Sequence, residues 1–394
     1  MPLKILFLTY DLPYPLNSGG RIRSYNLIKN LSAHFEITLY SYYRTSDQLQ
    51  AVSGFSSFCR ESRFFQRKRP WQAGNFFHSM LTLRPYMASL YYSNQLENQL
   101  NLDLASNHFD FVHFESFYPA LFLPLVKQKN VVAVMGNQNI EYRVYQRFAD
   151  QQFWPLRPFI KAEALRMRLF EEYLWKKADL NLAISAHDAA SIRRVTGRPP
   201  LIIANGVNTV DFKKHLGSRD GSQLLFIGSL SYKANDDAAR FLLEEIFPLV
   251  KHRLPSARLT IVSWYKPSWL ESHLKNGSVR LIQDKQKHPS SFMATADIFV
   301  APMRIASGTN IKILEAMAGQ LPVVTTTVGI EGLDIHHREA AVADKPAELA
   351  QVIVDLLSSA VKRRQIGISG YNLVKQKYEW KQIVKPLINY YQNH

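Results

Sequence analysis

The chain has 394 residues, 46% of them hydrophobic and 20% charged, with 17 Gly and 19 Pro. That usage excludes disordered and collagen-like chains, and the length suits two cores better than one. The single cysteine, Cys59, excludes an intramolecular disulfide framework and a zinc site built from several thiolates. Lys and Arg total 48 against 32 Asp and Glu, a net charge of +16 spread over both halves. Such an excess favours an anionic partner: a phosphorylated small molecule, an acidic membrane surface or nucleic acid.

From the N-terminus, residues 4–9 read as a short apolar strand, 11–20 as a Pro-, Asn- and Gly-rich loop, 21–33 as a helix and 36–40 as a second strand. Apolar strands recur at 109–114, 131–135 and 180–184, with helices expected over 118–127 and 157–178. Strands apolar throughout and separated by helices predict a parallel sheet covered on both faces. After the Asn205-Gly206 turn signal the pattern restarts, with strands expected at 224–227, 259–262, 279–282, 298–301 and 323–325. The fold class is therefore α/β, with two Rossmann-like parallel-sheet domains. We expect an N-terminal domain over 1–200, a C-terminal domain over 201–376 and a terminal helix over 377–394, interrupted at Pro386, that packs back towards the first domain. No apolar run approaches the roughly 20 residues that span a bilayer, and the first residues lack a signal-peptide core, so a cytoplasmic location is expected.

One segment mixes cations with rings. Arg60, Arg63, Arg67, Lys68 and Arg69 precede Trp71, Phe76, Phe77, Tyr86, Tyr91 and Tyr92. The mixture suits a helix lying in a lipid interface, so residues 60–92 are read as a surface for an anionic membrane, with an internal helix pair as the alternative. No recognition motif accompanies it that would make nucleic acid the partner.

The chemistry concentrates at residues 298–333. A strand ends at Ala301-Pro302, a loop with Ser307, Gly308 and Thr309 opens a helix over 310–318, and Pro322 precedes the next strand. A helix start offers free N–H groups and a partial positive charge, a seat for a diphosphate. Gly308 permits close approach, Lys312 adds a full cation, and Glu315 lies one turn deeper on the same face, placed to accept from both hydroxyls of a ribose. The same spacing also fits a capped amphipathic helix with a solvated Lys-Glu pair.

This stretch, Gly308-Thr309-Asn310-Ile311-Lys312-Ile313-Leu314-Glu315-Ala316-Met317-Ala318, resembles the donor-site signature of glycosyltransferase family four, nucleotide-sugar transferases of the GT-B fold. The likeness extends to Gly19-Gly20-Arg21, to residues 109–115, to Asn139-Ile140-Glu141-Tyr142, to Asn205-Gly206-Val207-Asn208 and to Tyr378 with Trp380. It implies a GT-B fold with two facing domains and an interdomain cleft. It implies a retaining hexosyltransferase that needs no metal or other cofactor and moves a sugar from a nucleoside-diphosphate sugar to a glycan or lipid-linked acceptor in cell-surface polysaccharide or glycolipid biosynthesis. The location implied is peripheral, on the inner face of the cytoplasmic membrane.

By the same resemblance, Gly308, Thr309 and Lys312 hold the donor diphosphate, Glu315 the ribose, and the Gly19-Gly20 backbone closes over phosphates and sugar. Where the family pattern has a glutamate this chain has Ser307. The usual Arg is Asn310, and the usual Gly-Arg pair is Gly228-Ser229, which leaves Lys233 and Arg304 as substitute cations. Glu115 aligns with a histidine, His113 being its rival two residues earlier. Glu141 either orients an acceptor hydroxyl, acts as its general base, or caps the following helix. The altered residues keep open a catalytically inactive nucleotide-sugar-binding protein, and the shared architecture a nucleotide-sugar 2-epimerase. A Rossmann dehydrogenase is excluded because residues 10–21 lack G-x-G-x-x-G.

Overall fold

The computed structural model describes residues 2–70, 73–82, 84–106, 108–150, 155–212, 221–275, 277–284, 288–305 and 309–394, with backbone alone for residues 51, 73, 76–78 and 81. The chain divides into two compact units. The first comprises Met1–Ala204 with Val384–His394, the second Asn205–Ile383.

In the first unit seven strands form one parallel sheet: β1 (Lys4–Thr9), β2 (Glu36–Tyr43), β3 (Glu61–Gln66), β4 (Phe111–Glu115), β5 (Val132–Asn137), β6 (Leu180–Ala183) and β7 (Leu201–Ile202). They lie in the order β3-β2-β1-β4-β5-β6-β7. Register is set along the centre, where Ile5 faces Ile37 on one side and Phe111 on the other, and Thr9 faces Ser41 and Glu115. Leu6, Leu8, Val112, Phe114, Ala133 and Met135 bury one face of the sheet together with Met167, Leu174 and Trp175 of helix Arg157–Lys177.

The second unit repeats the plan with β8 (Gln223–Ile227), β9 (Arg258–Val262), β10 (Val279–Ile282), β11 (Ile298–Ala301), β12 (Val323–Thr325) and β13 (Ala341–Val342), ordered β10-β9-β8-β11-β12-β13. In both sheets the winding reverses beside the first strand, between β1 and β4 and between β8 and β11. At such a reversal the loops leaving the strand ends diverge, and open α/β sheets bind their ligands there.

Two expectations are corrected. Residues 61–66 are not part of a lipid-interface helix but the edge strand β3, paired along Thr38–Tyr43. The reason is visible in its rings: Phe65 packs on Tyr40 and Tyr42 while Phe64 turns towards Phe55, an alternation of faces that only a strand gives. The region expected as one helix over 118–127 begins as a 3-10 turn, Pro119–Phe122, and becomes α-helical at Leu123–Gln128, each piece opening on a proline within its first two residues. The interruption expected at Pro386 is present just before it, at Val384, between helices Trp380–Ile383 and Lys385–Asn393. Pro386 opens the second piece from its first turn, where a missing N–H leaves no bond unmade.

Candidate functional site

In the second unit, β8 runs out at Ile227 and Gly228, and helix Lys233–Phe241 follows, carrying Asn235. Across the sheet reversal, helix Ile311–Ala318 follows β11, anchored by the buried Ile313, Leu314 and Met317. These elements converge. The Lys312 ammonium donates to Asn235 Oδ1 at 2.5 Å and stands 5.5 Å above the Phe226 ring. A Cβ on Gly228 would lie 2.8 Å from the Asn235 side chain, so glycine is what lets β8 pass this close. Lys312 and Glu315 are both half-buried. Burial lowers the Lys312 pKa to about 8, against the opposing pull of Glu315. Burial raises the Glu315 carboxyl to about 7, against the pull of Lys312. A cation and a carboxylate are thus held partly out of water on one helical face at the sheet reversal, the arrangement that a diphosphate and a vicinal diol would complete.

The other expected residues of this unit fall as follows. Ser307 and Gly308 lie outside the described residues. Thr309 precedes the helix, its carbonyl accepting from Ile311 N–H, and the buried Asn310 donates to the Gly329 carbonyl at 2.8 Å. Arg304 is committed elsewhere, forked onto Asp237 at 2.8 and 3.0 Å, reaching Glu245 at 3.3 Å and covering the Phe241 ring. Lys233 is exposed at the first position of its helix.

In the first unit the reversal lies between Thr9 and Glu115. Gly20, in the first turn of helix Gly19–Leu31, abuts Tyr10 and Gln138: a Cβ there would stand 2.0 Å from the Tyr10 hydroxyl and 2.7 Å from Gln138 Oε1. Behind it runs a buried polar chain. Arg23 Nε donates to Glu115 Oε1 at 2.6 Å, His113 Nε2 is 2.8 Å from Glu115 Oε2, and His113 Nδ1 is 2.6 Å from the Tyr391 hydroxyl. Arg23 also donates to the carbonyls of Ile203 and Ala204. His113 and Glu115 are both 0% exposed. Burial alone would raise the Glu115 carboxyl, but Arg23 and His113 outweigh it and hold it at about 2. In this structure both side chains are occupied by each other and by Arg23 and Tyr391.

Glu141 stands differently. It opens helix Glu141–Asp150, yet the cap comes from Glu171, whose buried carboxylate accepts from the N–H groups of Glu141 at 3.0 Å and Tyr142 at 3.1 Å. The Glu141 side chain is left to accept from the Tyr118 hydroxyl at 3.1 Å. Burial raises its carboxyl to about 7, the hydrogen bonds of Tyr118 and Asn139 only partly opposing. Tyr118 stacks on Tyr91 at 4.7 Å and Tyr10 lies 5.9 Å away, so the carboxyl sits against a wall of phenols.

Ser116, directly after β4, has φ 136°, a region that favours glycine. Strain of this kind gathers at functional sites. Replacing Ser116 by Gly is expected to raise stability by roughly 1 kcal/mol, relief of backbone strain exceeding the chain entropy that glycine adds. Thermal denaturation checks it, and a destabilised glycine variant would show that the backbone there is unstrained.

Asn235, Arg23, Tyr118 and Glu171 belong to these clusters and were not expected. Arg23 did leave a signal, since it shares the i, i+4 stripe of Leu27 and Leu31, where a cation has to be buried and paired. The basic segment is partly spent on internal contacts: Arg60 pairs with Glu36, Arg63 with Glu61 and Asp103, Arg67 with the Tyr91 hydroxyl, and Lys68 lies over the Tyr92 ring. Trp71 and the side chains of Phe76 and Phe77 lie outside the described residues, while Met80 on helix Ala73–Thr82 is 56% exposed.

Two parallel-sheet units of this topology define the GT-B fold. The chain has TM-score 0.73 to a sucrose-phosphate synthase from Thermosynechococcus elongatus, at 15% identity over 99% of this chain and 98% of that one. It has TM-score 0.66 to Anabaena HepE in complex with UDP and glucose, at 14% identity over the whole of both chains. Residues 221–359 match the family model described as Glycosyl transferases group 1. Over 96% of its length the chain is also 22% identical to an uncharacterized 44.6 kDa protein in the cps region of Klebsiella pneumoniae, 97% of which is covered.

Proposed function

We propose that this protein is a retaining glycosyltransferase that moves a sugar from a nucleoside-diphosphate sugar to a glycan or lipid-linked acceptor of the cell surface. The observation that carries the reading is the convergence of Gly228, Asn235, Lys312 and Glu315 at the β8/β11 reversal, within the segment matched by the Glycosyl transferases group 1 model. HepE, of the same fold, binds UDP and glucose. In the proposed complex Lys312 leaves Asn235 for the diphosphate, and Glu315 accepts from the ribose hydroxyls. A cation already in place at the leaving group stabilises the charge that develops there, and on this reading no metal is required. Glu141, in the first unit, takes the acceptor hydroxyl.

Lys312→Ala and Glu315→Ala are each expected to weaken nucleoside-diphosphate binding by roughly 10–150-fold, the loss of one charge-assisted contact. The fold should persist, because both side chains are half-buried and Lys312 carries a desolvation cost. Calorimetric titration with UDP, GDP and ADP measures this, and unchanged affinity in both variants would remove the helix from the donor site.

Peripheral attachment to an anionic membrane through residues 60–92 is part of the proposal. Its support is the exposed Met80 beside the basic run. Among the described residues no helix is long and apolar enough to cross a membrane. Co-sedimentation with acidic liposomes should fall when Lys68 and Arg69 become Ser. Equal sedimentation of folded parent and variant would remove this surface.

A further inference from the structure

The carboxyl end of the first sheet holds a second feature that the donor chemistry does not use. Tyr43, the last residue of β2, is in register with Gln66, the last of β3, so the residues that follow, Arg44 and Arg67, leave neighbouring strands side by side. Arg67 Nη1 donates to the Tyr91 hydroxyl at 3.1 Å, and its guanidinium carbon lies 5.4 Å from the centre of that ring. Arg44 is exposed and lends its charge to the same phenol. Among the described residues neither arginine forms an ion pair with a carboxylate, whereas Arg21, Arg60 and Arg63 nearby all do.

From this pair a continuous chain of contacts leads to the proposed acceptor carboxylate. Tyr91 stacks on Tyr118 with centroids 4.7 Å apart and planes inclined by 25°, and the Tyr118 hydroxyl donates to Glu141. Tyr91 itself is buried and links the cations to Tyr118 from within, whereas Tyr118 is half-buried, and a tyrosine face and hydroxyl suit the apolar face and hydroxyls of a sugar. A guanidinium without a carboxylate partner is the group that recognises a planar or tetrahedral anion through paired hydrogen bonds. Cations at one end of this chain of contacts and a hydroxyl-accepting carboxylate at the other describe a ligand that carries both an anionic group and a hydroxyl.

We propose that the acceptor carries an anionic group, a uronic carboxylate or a phosphate, held by Arg44 and Arg67 while its hydroxyl is presented to Glu141. This deepens the glycosyltransferase reading and rests on it. The charged end fixes which hydroxyl reaches Glu141, so the pair sets specificity.

The test is calorimetric titration of the full chain with methyl glucuronide, methyl glucoside and inorganic phosphate, in the parent and in Arg44→Gln, Arg67→Gln and Arg67→Lys. The parent should bind glucuronide or phosphate at least roughly tenfold more tightly than glucoside, and added salt should weaken that binding. Glucuronide preference assigns a uronic acceptor, and phosphate binding without it a phosphorylated one. Both Gln variants should lose the preference, and Arg67→Lys should keep part of it. Arg44 is exposed, so its variant remains informative should Arg67→Gln fail to fold. Equal affinity for the charged and neutral sugars with no phosphate binding, or full preference in folded Arg44→Gln and Arg67→Gln, overturns the proposal. UDP titration of the same samples reads the donor site separately: its failure in the parent would count against the glycosyltransferase reading, and its retention in the variants shows that only the anion site was altered.

Discussion

Replacement of Glu141 by Gln is expected to lower kcat by roughly 10²–10⁴-fold, the usual contribution of a positioned general base, while nucleoside-diphosphate affinity stays unchanged. Gln keeps the volume and can still accept from Tyr118, so the loss is one of proton transfer. The carboxyl is raised to about 7 by burial, so the parent's kcat at saturating donor should climb as pH rises through about 7, and the variant's limb should be weaker, reduced to what Glu315, also raised to about 7, contributes. Stability moves the other way. A raised carboxyl binds more protons in the folded than in the unfolded chain between the ordinary value of 4.5 and about 7, so this group's stabilising contribution is complete below that window and is lost as pH rises through it. Glutamine has no such slope. At pH 8 the variant should therefore be the more stable protein, by at most about 3 kcal/mol. A variant that is less active and also less stable at pH 8 would assign Glu141 a structural role.

Arg23→Met should cost about 3–5 kcal/mol, the loss expected when one partner of a buried ion pair is removed. Arg23 and Glu115 are 1% and 0% exposed, and among the described residues the carboxylate would keep His113 and the long contact of Gln138 at 3.3 Å. In the parent Glu115 is held at about 2. A depressed carboxyl contributes stability that is present above its unfolded value and disappears as pH falls towards about 2. In the variant the carboxyl should rise instead, since burial then acts with less opposition. The deficit between variant and parent is accordingly largest near neutral pH and shrinks below about pH 4. Adding Glu115→Gln to Arg23→Met should recover part of it, because no buried charge remains. Urea denaturation across pH measures all three proteins, and a deficit under about 1 kcal/mol at pH 7 would show that the pair is not what holds this cluster.

The strands of both sheets were legible because a buried parallel strand is apolar on both faces, and 279–282, 298–301 and 323–325 emerge with the boundaries expected of them. The edge strand β3 was not. β3 reads Glu-Ser-Arg-Phe-Phe-Gln, half polar because only part of it is covered, so its basic residues suggested a surface helix. The candidate donor helix was legible because its chemistry is local, Lys312 and Glu315 standing three apart on one helix. Asn235 was hidden because it meets Lys312 across 77 positions of chain, and Arg23 meets Glu115 across 92. Glu141 shows the same limit in reverse: sequence left a cap and a base equally open, and the identity of the capping group was written 30 residues away, in Glu171.

Sugar transfer from a nucleotide donor is tested by release of nucleoside diphosphate from UDP-, GDP- and ADP-sugars in EDTA, with total membrane glycolipid as acceptor and the product's anomeric configuration read by NMR. One donor should be turned over without added metal, with the donor's anomeric configuration retained, and Lys312→Ala and Glu141→Gln should each suppress the reaction. Absence of release from every donor by folded protein, an inverted product, or strict dependence on added Mn²⁺ or Mg²⁺ would contradict the proposed function.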